Sequence, residues 1–181
     1  MIDDINIKIK NIVLKYPDLY QTKELDKGRI ILSEGTIANN IYYVINGIIK
    51  AFVVNEKTQK YSTITFFSKD EFIIPYKSIV ENVPSLVNLQ VIKKSNLFVL
   101  DKLNIEKIKQ KESELTDLLH KSTILTMYKF INYIANVHSY DNPTRYKLAL
   151  KEMPYLEDVT NEEMAMYLGV DRTAISRYRK K

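Results

Sequence analysis

The sequence has no cysteine, and its only two histidines, His120 and His138, lie far apart in the chain. Without cysteine the chain can form no disulfide, no thiolate nucleophile and no sulfur-ligated zinc or iron-sulfur cluster. Two distant histidines do not make a metal site, and we expect each to be an ordinary helix residue. The sequence therefore predicts neither a bound metal nor a cofactor.

Long apolar runs and a basic leader are also missing. The N-terminal residues MIDDINIK lack a basic start, and no stretch of the chain reaches the length needed to cross a bilayer. This predicts a soluble cytoplasmic protein without membrane contact. Nucleophile–base pairs, metal-ligand spacings and glycine-rich phosphate loops are missing too, so we do not expect an enzyme.

The composition permits a compact protein with a polyanionic partner. The 181 residues are 45% hydrophobic, which suits two small domains better than one large domain. A net charge of +5 allows nucleic acid binding without requiring it, because the lysines are scattered along the chain.

Glycine is scarce, with four residues in the chain, and three of them punctuate one β-rich region. Between about residues 29 and 100 the sequence has short runs rich in Ile, Val, Tyr, Phe and Thr. Gly28, Gly35 and Gly47 lie between these runs, where they can supply a positive φ angle. The pattern predicts a small antiparallel barrel or sandwich with strands at 29–32, 41–45, 48–54, 60–66, 88–92 and 96–100.

Helical periodicity flanks the β-region on both sides. Isoleucines at 2, 5, 9 and 12 predict a short helix that ends near Tyr16 and Pro17. From about residue 105 to residue 138, a stretch without proline or glycine predicts one long helix. The spacings from Ile108 to Leu115 and from Leu118 to Leu125 are seven residues, as in a coiled-coil seam that decays beyond residue 126.

A helix of more than thirty residues exceeds what one small barrel can cover, which favours a homodimer. The alternative is a helix that packs only on its own barrel. The sequence Asp141-Asn-Pro143 predicts the end of this helix and a domain boundary, with Asn142 as the cap of the next helix.

The C-terminal residues have the pattern of a helix-turn-helix. Thr160 can cap a helix while Glu163 returns the bond as a capping box. Gly169 can end that helix in the left-handed conformation, and Asp171 can cap the next one. Ile175 is the apolar residue expected to hold the second helix against the first. Two short helices joined in this way are typical of a DNA reader.

Positive charge is concentrated on the second of these helices. The chain has five arginines and 22 lysines, yet three of the arginines fall within the last ten residues. Arginine can bond guanine or phosphate through two donors, whereas lysine acts as a point charge. A solvated basic tail is the alternative interpretation. The pattern instead predicts DNA contacts from Arg172, Thr173, Ser176, Arg177, Arg179 and Lys180.

The order of these elements resembles the CRP/FNR family, the bacterial transcription factors of the cyclic AMP receptor and fumarate-nitrate regulator type. The resemblance covers nearly the whole chain and rests on residues 27–35 (KGRIILSEG), 41–47 (IYYVING) and 168–177 (LGVDRTAISR). It implies an α+β protein. The expected parts are an antiparallel β-roll of double-stranded β-helix or jelly-roll type over 1–103, a dimerisation helix over 104–140 and an all-α helix-turn-helix domain over 141–181.

The resemblance also implies roles for residues of the second C-terminal helix. Arg172, Thr173 and Arg177 take the family's base-reading positions, and Ser176 lies where a phosphate contact is expected. Many members carry Glu at the position of Thr173, and that carboxylate can accept from cytosine. We therefore expect a palindromic target that differs from the best-known site of the family.

The segment that binds cyclic nucleotide in the family is altered here. Its Gly-Glu and Arg-Ser pairs are replaced by Ile74-Pro75 and Ser85-Leu86, and Lys77 is the one basic residue between residues 70 and 92. A buried phosphate would lack partners, so we do not expect cyclic AMP to be the effector. The region could bind an unidentified apolar or weakly polar ligand, for which Phe72, Ile73, Ile74 and Tyr76 are candidates, or could simply fill the core.

The chain also ends before the β-hairpin wing of longer family members, as expected for a short-tailed branch or for a cut terminus. The resemblance implies double-stranded DNA, a second copy of the chain and RNA polymerase as partners. Any signal would change the angle between the roll and the DNA-binding domain through the long helix. The alternative function is a ligand-sensing roll that acts through a protein partner and carries a vestigial DNA reader.

Overall fold

The computed structural model describes residues 2–180 and has an antiparallel β-roll at its centre. Its strands are β1 (Gln21–Leu25), β2 (Ile30–Leu32), β3 (Asn40–Val54), β4 (Tyr61–Phe67), β5 (Phe72–Ile73) and β6 (Asn88–Asp101). They pair in the order β1-β6-β3-β4, with β2 also on β6 and β5 also on β3. The predicted α+β class with an antiparallel β-domain is confirmed.

Two long strands replace four predicted short ones. Residues 41–45 and 48–54 belong to β3, and residues 88–92 and 96–100 belong to β6. The chain does not turn at Gly47, which has a φ of +96° and lies among shifts of register between β3 and β6. A Cβ at residue 47 would meet the side chain of Ser95 and lie 2.6 Å from the carbonyl oxygen of Lys94. Glycine therefore permits a bulge that bends both strands into a roll.

Two strands and a helix were not predicted. Strand β1 is polar, and four of its five residues are exposed, so it lacks the apolar alternation of a half-buried strand. Strand β5 has only two residues, and the helix α2 (Tyr76–Glu81) follows it directly. Short elements of this kind are fixed by tertiary contacts rather than by local pattern.

The first helix, α1 (Ile2–Leu14), ends before Pro17 as predicted and packs against the long helix of the chain. The prediction of one continuous helix from 105 to 138 is wrong. The structure has α3 (Lys102–Lys111) and α4 (Leu115–Ser139) instead. At the break, the carboxylate of Glu112 accepts bonds from Lys15 Nζ at 2.9 Å and from the Tyr16 hydroxyl at 3.0 Å. These bonds hold the pKa of Glu112 below its usual range.

The predicted seven-residue seam does not face solvent. Ile108, Leu115 and Leu118 are buried in the core of the roll, and Leu125 is half-buried. A different stripe on α4 is exposed, formed by Ile124, Met127, Tyr128, Ile131 and Ile134. This stripe begins where the predicted seam was expected to decay.

The C-terminal helices are α5 (Asn142–Glu152), α6 (Asn161–Leu168) and α7 (Arg172–Arg179). They enclose a second apolar cluster that includes Leu156, Met164 and Ile175. Asp141 rather than Asn142 caps α5, because its carboxylate accepts from the Thr144 amide at 3.0 Å. This cluster also contains Ile48 and Phe66 of the roll, so the helical domain is packed onto the roll.

Within residues 2–180, none of the helices combines the length and the apolar character needed to span a bilayer. The same residues hold no cluster of histidine and carboxylate side chains suited to a metal ion.

Candidate DNA-binding interface

Helices α6 and α7 form the two arms of a helix-turn-helix. The Thr160 hydroxyl accepts from the Glu163 amide at 3.2 Å, which is the predicted N-cap of α6. Gly169 ends α6 with a φ of +67°, and the Val170 amide then bonds back to the carbonyl oxygen of Ala165 at 3.1 Å. Ile175 is fully buried in the cluster beneath α6. The turn and the inward face of α7 thus match the sequence interpretation.

The caps of these helices differ from the prediction in two details. Asp171 holds the N-cap position of α7, yet its carboxylate caps no amide in the described part of the chain. The capping box on α6 is half made, because the Glu163 carboxylate is bonded to Lys50 of β3 instead of returning to Thr160. The Glu163 carboxylate therefore bonds to a residue of the roll and not, as the local sequence had predicted, to the N-terminus of its own helix.

The outward face of α7 is basic and hydroxylated. Arg172, Thr173, Arg177 and Lys180 are exposed, as a base-reading or phosphate-contacting face requires. Ser176 is half-buried, and its hydroxyl accepts from Asn161 Nδ2 at 2.9 Å. These residues lie together along one helix, and their contacts with DNA stay predictions.

Arg179 has an intramolecular role in addition to its charge. Its Nη2 donates to the carbonyl oxygen of Val159 at 2.5 Å and to that of Leu156 at 3.3 Å. These bonds tie the end of α7 to the segment before α6. The contact of Arg179 with DNA also stays a prediction.

Arg145 was not singled out in the sequence. From α5 it donates to the carbonyl oxygen of Leu168 at 2.6 Å and to Asn142 Oδ1 at 3.0 Å. A guanidinium at the C-terminal end of α6 satisfies a free carbonyl and suits the helix dipole. The one available signal was that arginine is rare in this chain.

The helical domain meets the roll through polar as well as apolar contacts. Lys50 Nζ lies 2.9 Å from both carboxylate oxygens of Glu163, and Lys93 Nζ lies 2.7 Å from Asp158 Oδ2. The Tyr155 hydroxyl donates to the carbonyl oxygen of Phe66 at 3.1 Å. Burial is the main cause that raises the pKa of Tyr155 well above its ordinary value, and the nearby Glu71 adds to it.

An apolar chamber of about 370 Å³ lies between the roll and α4. Its walls include Ile64, Phe67, Ile73 and Ile74 from the roll and Met127 and Phe130 from α4. Of the predicted candidates, Ile73, Ile74 and Tyr76 line it, whereas Phe72 is buried in the core. Lys77 is the one charged side chain among the described residues of its wall.

Residues 22–112, half of the chain, match the family model described as the cyclic nucleotide-binding domain. No curated protein sequence matches the chain.

Three solved structures share the fold over both the roll and the helices. CLP from Xanthomonas campestris, a c-di-GMP responsive global regulator, is 14% identical with a TM-score of 0.73, over 94% of this chain and 90% of its own. FixK2 from Bradyrhizobium japonicum is 13% identical with a TM-score of 0.76, and the match covers 89% of this chain and 83% of FixK2. A protein described as a transcriptional regulator of the crp/fnr family from Eubacterium rectale is 14% identical with a TM-score of 0.72, over 96% and 81%. At these identities the likeness establishes a shared fold.

Proposed function

The chain belongs to the cyclic nucleotide-binding domain family, and we propose that it is a DNA-binding transcription regulator of CRP/FNR type. The main support for this proposal is the exposed face of α7, which presents Arg172, Arg177 and Lys180. In a helix-turn-helix, the second helix is the one that enters the major groove. The domains that we propose are the roll with its N-terminal helix over 1–103, the dimerisation region over 104–140 and the DNA-binding domain over 141–181.

Each residue of this face suits a particular contact. The guanidinium groups of Arg172 and Arg177 can bond O6 and N7 of guanine, and Thr173 can offer a hydroxyl or a methyl group to a base edge. We propose that Ser176, Arg179 and Lys180 contact the phosphate backbone. A thymine methyl or an adenine, rather than a cytosine, suits the position opposite Thr173.

The exposed stripe on α4 supports a homodimer. Ile124 and Ile131 are seven residues apart, as are Met127 and Ile134, so the stripe has the spacing of a two-stranded seam. The stripe exposes five large side chains in one row, which calls for a partner surface. A two-fold dimer would read a palindrome whose half-sites lie about one helical turn apart. We propose RNA polymerase as a further partner.

The chamber does not fit a cyclic nucleotide. Lys77 has a largely exposed side chain and lies 4.0 Å from Glu81, so it is poorly placed to neutralise a phosphate within the apolar walls. The walls contain no arginine among the described residues. An effector, where one exists, should therefore be apolar or weakly polar.

A second candidate function is favoured by the chamber itself. A space of about 370 Å³ with mostly apolar walls has the size and lining of a small-molecule site. The protein could then be a ligand sensor that acts through a protein partner, with a vestigial DNA reader. A ligand found in the chamber, together with no affinity for DNA in any state, would select this function.

Selection of bound sites from a random DNA pool tests the leading proposal. Protein with and without cell extract is used in parallel, so that the site, its symmetry and its ligand dependence are obtained together. We expect a palindromic site whose recovery decreases with salt. Recovery of no enriched sequence in either arm would reject the proposal.

A further inference from the structure

The helical domain packs on the roll through an interface with an apolar centre. Phe66 of β4 is fully buried, and its ring lies edge-on to that of Tyr167 with centroids 5.4 Å apart. Ile48 of β3 is buried in the same cluster. Phe66 and Ile48 are therefore covered by the helical domain, and the separation of the two domains would expose them to water.

A partly buried ion pair lies within this interface. The side chain of Lys50 is 6% exposed and that of Glu163 is 20% exposed, with the ammonium 2.9 Å from both carboxylate oxygens. Such a pair adds little net stability, because both charges lose their hydration, but the loss of one partner leaves the other buried and uncompensated. The pair therefore selects one arrangement of the domains and releases its charges to water when they part.

The same arrangement places the reading end of α7 beside the roll. Arg172, at the first turn of α7, lines a cleft of about 380 Å³ whose opposite wall is formed by Lys27, Ile92 and Lys93 of the roll. A recognition helix reads bases mainly through its N-terminal residues, and the major groove alone is about 12 Å wide. A duplex bound at Arg172 would therefore approach the part of the roll that carries Lys27, Ile92 and Lys93. The lining of the cleft has three basic and three acidic side chains, so it has no net positive charge to attract phosphate.

We propose that the Lys50–Glu163 pair is a lock that holds this protein in a resting arrangement, in which the recognition helix cannot enter the major groove. Reading DNA requires the pair to separate and the helical domain to leave β3 and β4. This inference rests on the proposed DNA-binding function and adds to it the contact that restrains the reader.

A second junction between the roll and the helical domain lies next to the apolar chamber. The Glu71 carboxylate accepts from the Ser68 amide at 2.7 Å and from the Tyr155 hydroxyl at 3.3 Å, and it pairs with Lys129 of α4. It thus joins the roll, α4 and the helical domain. Ile73, two residues further along the chain, is in the chamber wall. A ligand that displaces this wall would disturb the junction and favour release of the lock.

The test uses charge reversal and its rescue. Lys50→Glu and Glu163→Lys each place like charges at the buried contact, whereas the double variant restores an ion pair with the charges exchanged. The control is Lys94→Glu. Lys94 forms a solvent-exposed ion pair with Glu24, and both residues belong to the roll. Glu163→Gln serves as the milder variant, since it removes the charge and keeps the size of the side chain.

Two quantities are measured on each variant. The first is the distance between spin labels at Lys23→Cys in β1 and Lys151→Cys in α5, both exposed positions in a chain that has no other cysteine. Labelled protein is diluted with unlabelled protein so that labels on different protomers do not interfere. The second is the affinity for the selected DNA site without effector.

For the three single substitutions of the lock, we expect a longer mean distance between the spin labels and a broader distance distribution. We also expect the DNA affinity to rise on the order of tenfold or more. The double variant should return both quantities to those of the wild type, and Lys94→Glu should change neither. Unchanged distances in Lys50→Glu and Glu163→Lys, or lowered DNA affinity that the double variant rescues, would overturn the lock. Opened distances without DNA binding in any variant would overturn the proposed function and leave the lock supported.

Discussion

Tyr133 of α4 stacks on Tyr167 of α6, with ring centroids 4.8 Å apart and an angle of 28° between the rings. The Tyr133 hydroxyl also donates a 2.5 Å hydrogen bond to the backbone carbonyl of Tyr167. The helix with the exposed apolar stripe is thus bonded directly to the helix that ends at the Gly169 turn. A shift of α4 would be transmitted through this contact to α6 and to the turn that precedes α7.

Tyr133→Phe should lower the free energy of unfolding by about 0.5–1.5 kcal/mol, since it removes one buried hydrogen bond and keeps the stacked ring. Urea denaturation measures the loss. Tyr140→Phe is the control, because Tyr140 is half-exposed at the end of the same helix. An equal loss in both variants would contradict a specific role for the Tyr133 bond.

Arg179→Ala should destabilise the protein by about 1–3 kcal/mol, because the carbonyl groups of Val159 and Leu156 lose their charged donor. Arg177→Ala, at an exposed position two residues earlier, should change the free energy of unfolding by less than about 0.5 kcal/mol. Thermal or urea denaturation of the two variants gives the comparison. The opposite order of effects would refute the structural role of Arg179.

The stability of the protein should fall as the pH rises above about 10. Burial raises the pKa of Tyr155 and of Tyr167 in the folded state, whereas both residues ionise near pH 10 in the unfolded chain. The folded state then binds more protons than the unfolded state, so each increase in pH favours unfolding. Below pH 10 both states are protonated and this contribution is fully present.

Melting temperatures measured from pH 8 to pH 11 test this dependence. Tyr155→Phe should make the decline less steep because it removes one of the groups responsible. Tyr61→Phe, at an exposed position in β4, should leave the slope unchanged. A slope that is the same in Tyr155→Phe and in the wild type would show that the decline has another origin.

Ile131→Glu should weaken the proposed homodimer by at least about tenfold, because it places a charge within the apolar stripe of α4. Sedimentation velocity over a range of concentrations measures the dissociation. Asn132→Glu adds the same charge to the next residue, which is exposed beside the stripe, and should have a much smaller effect. Equal sedimentation of both variants and the wild type would argue against this surface.

Local signals in the sequence predicted much of the fold. Gly169, the Thr160 cap and the buried Ile175 are specified within a few residues of one another, and the structure confirms them. The break between α3 and α4 was missed because Glu112 is held by Lys15 and Tyr16, almost a hundred residues earlier in the chain. A contact between residues so far apart in the chain cannot be predicted from the helix propensity of the residues around Glu112.

The interface between the roll and the helices could not be predicted for the same reason. Lys50 is one lysine among 22, and its partner Glu163 already had a local explanation as half of a capping box. The contact becomes apparent only when β3 and α6 are folded side by side. The apolar stripe of α4 was misplaced because the roll buries the heptad at Leu115 and Leu118 and leaves Ile124 and Ile131 exposed.

The central claim is that α7 reads DNA, and the affinity of Arg172→Ala plus Arg177→Ala for the selected site tests it most directly. Fluorescence anisotropy at two or more salt concentrations compares this variant with the wild type and with Arg29→Ala, which removes an exposed arginine from the roll. We predict salt-sensitive binding by the wild type and by Arg29→Ala, and affinity lowered at least about tenfold in the double variant. Binding that the double substitution leaves unchanged, or no specific binding by any of the three proteins, would contradict the account.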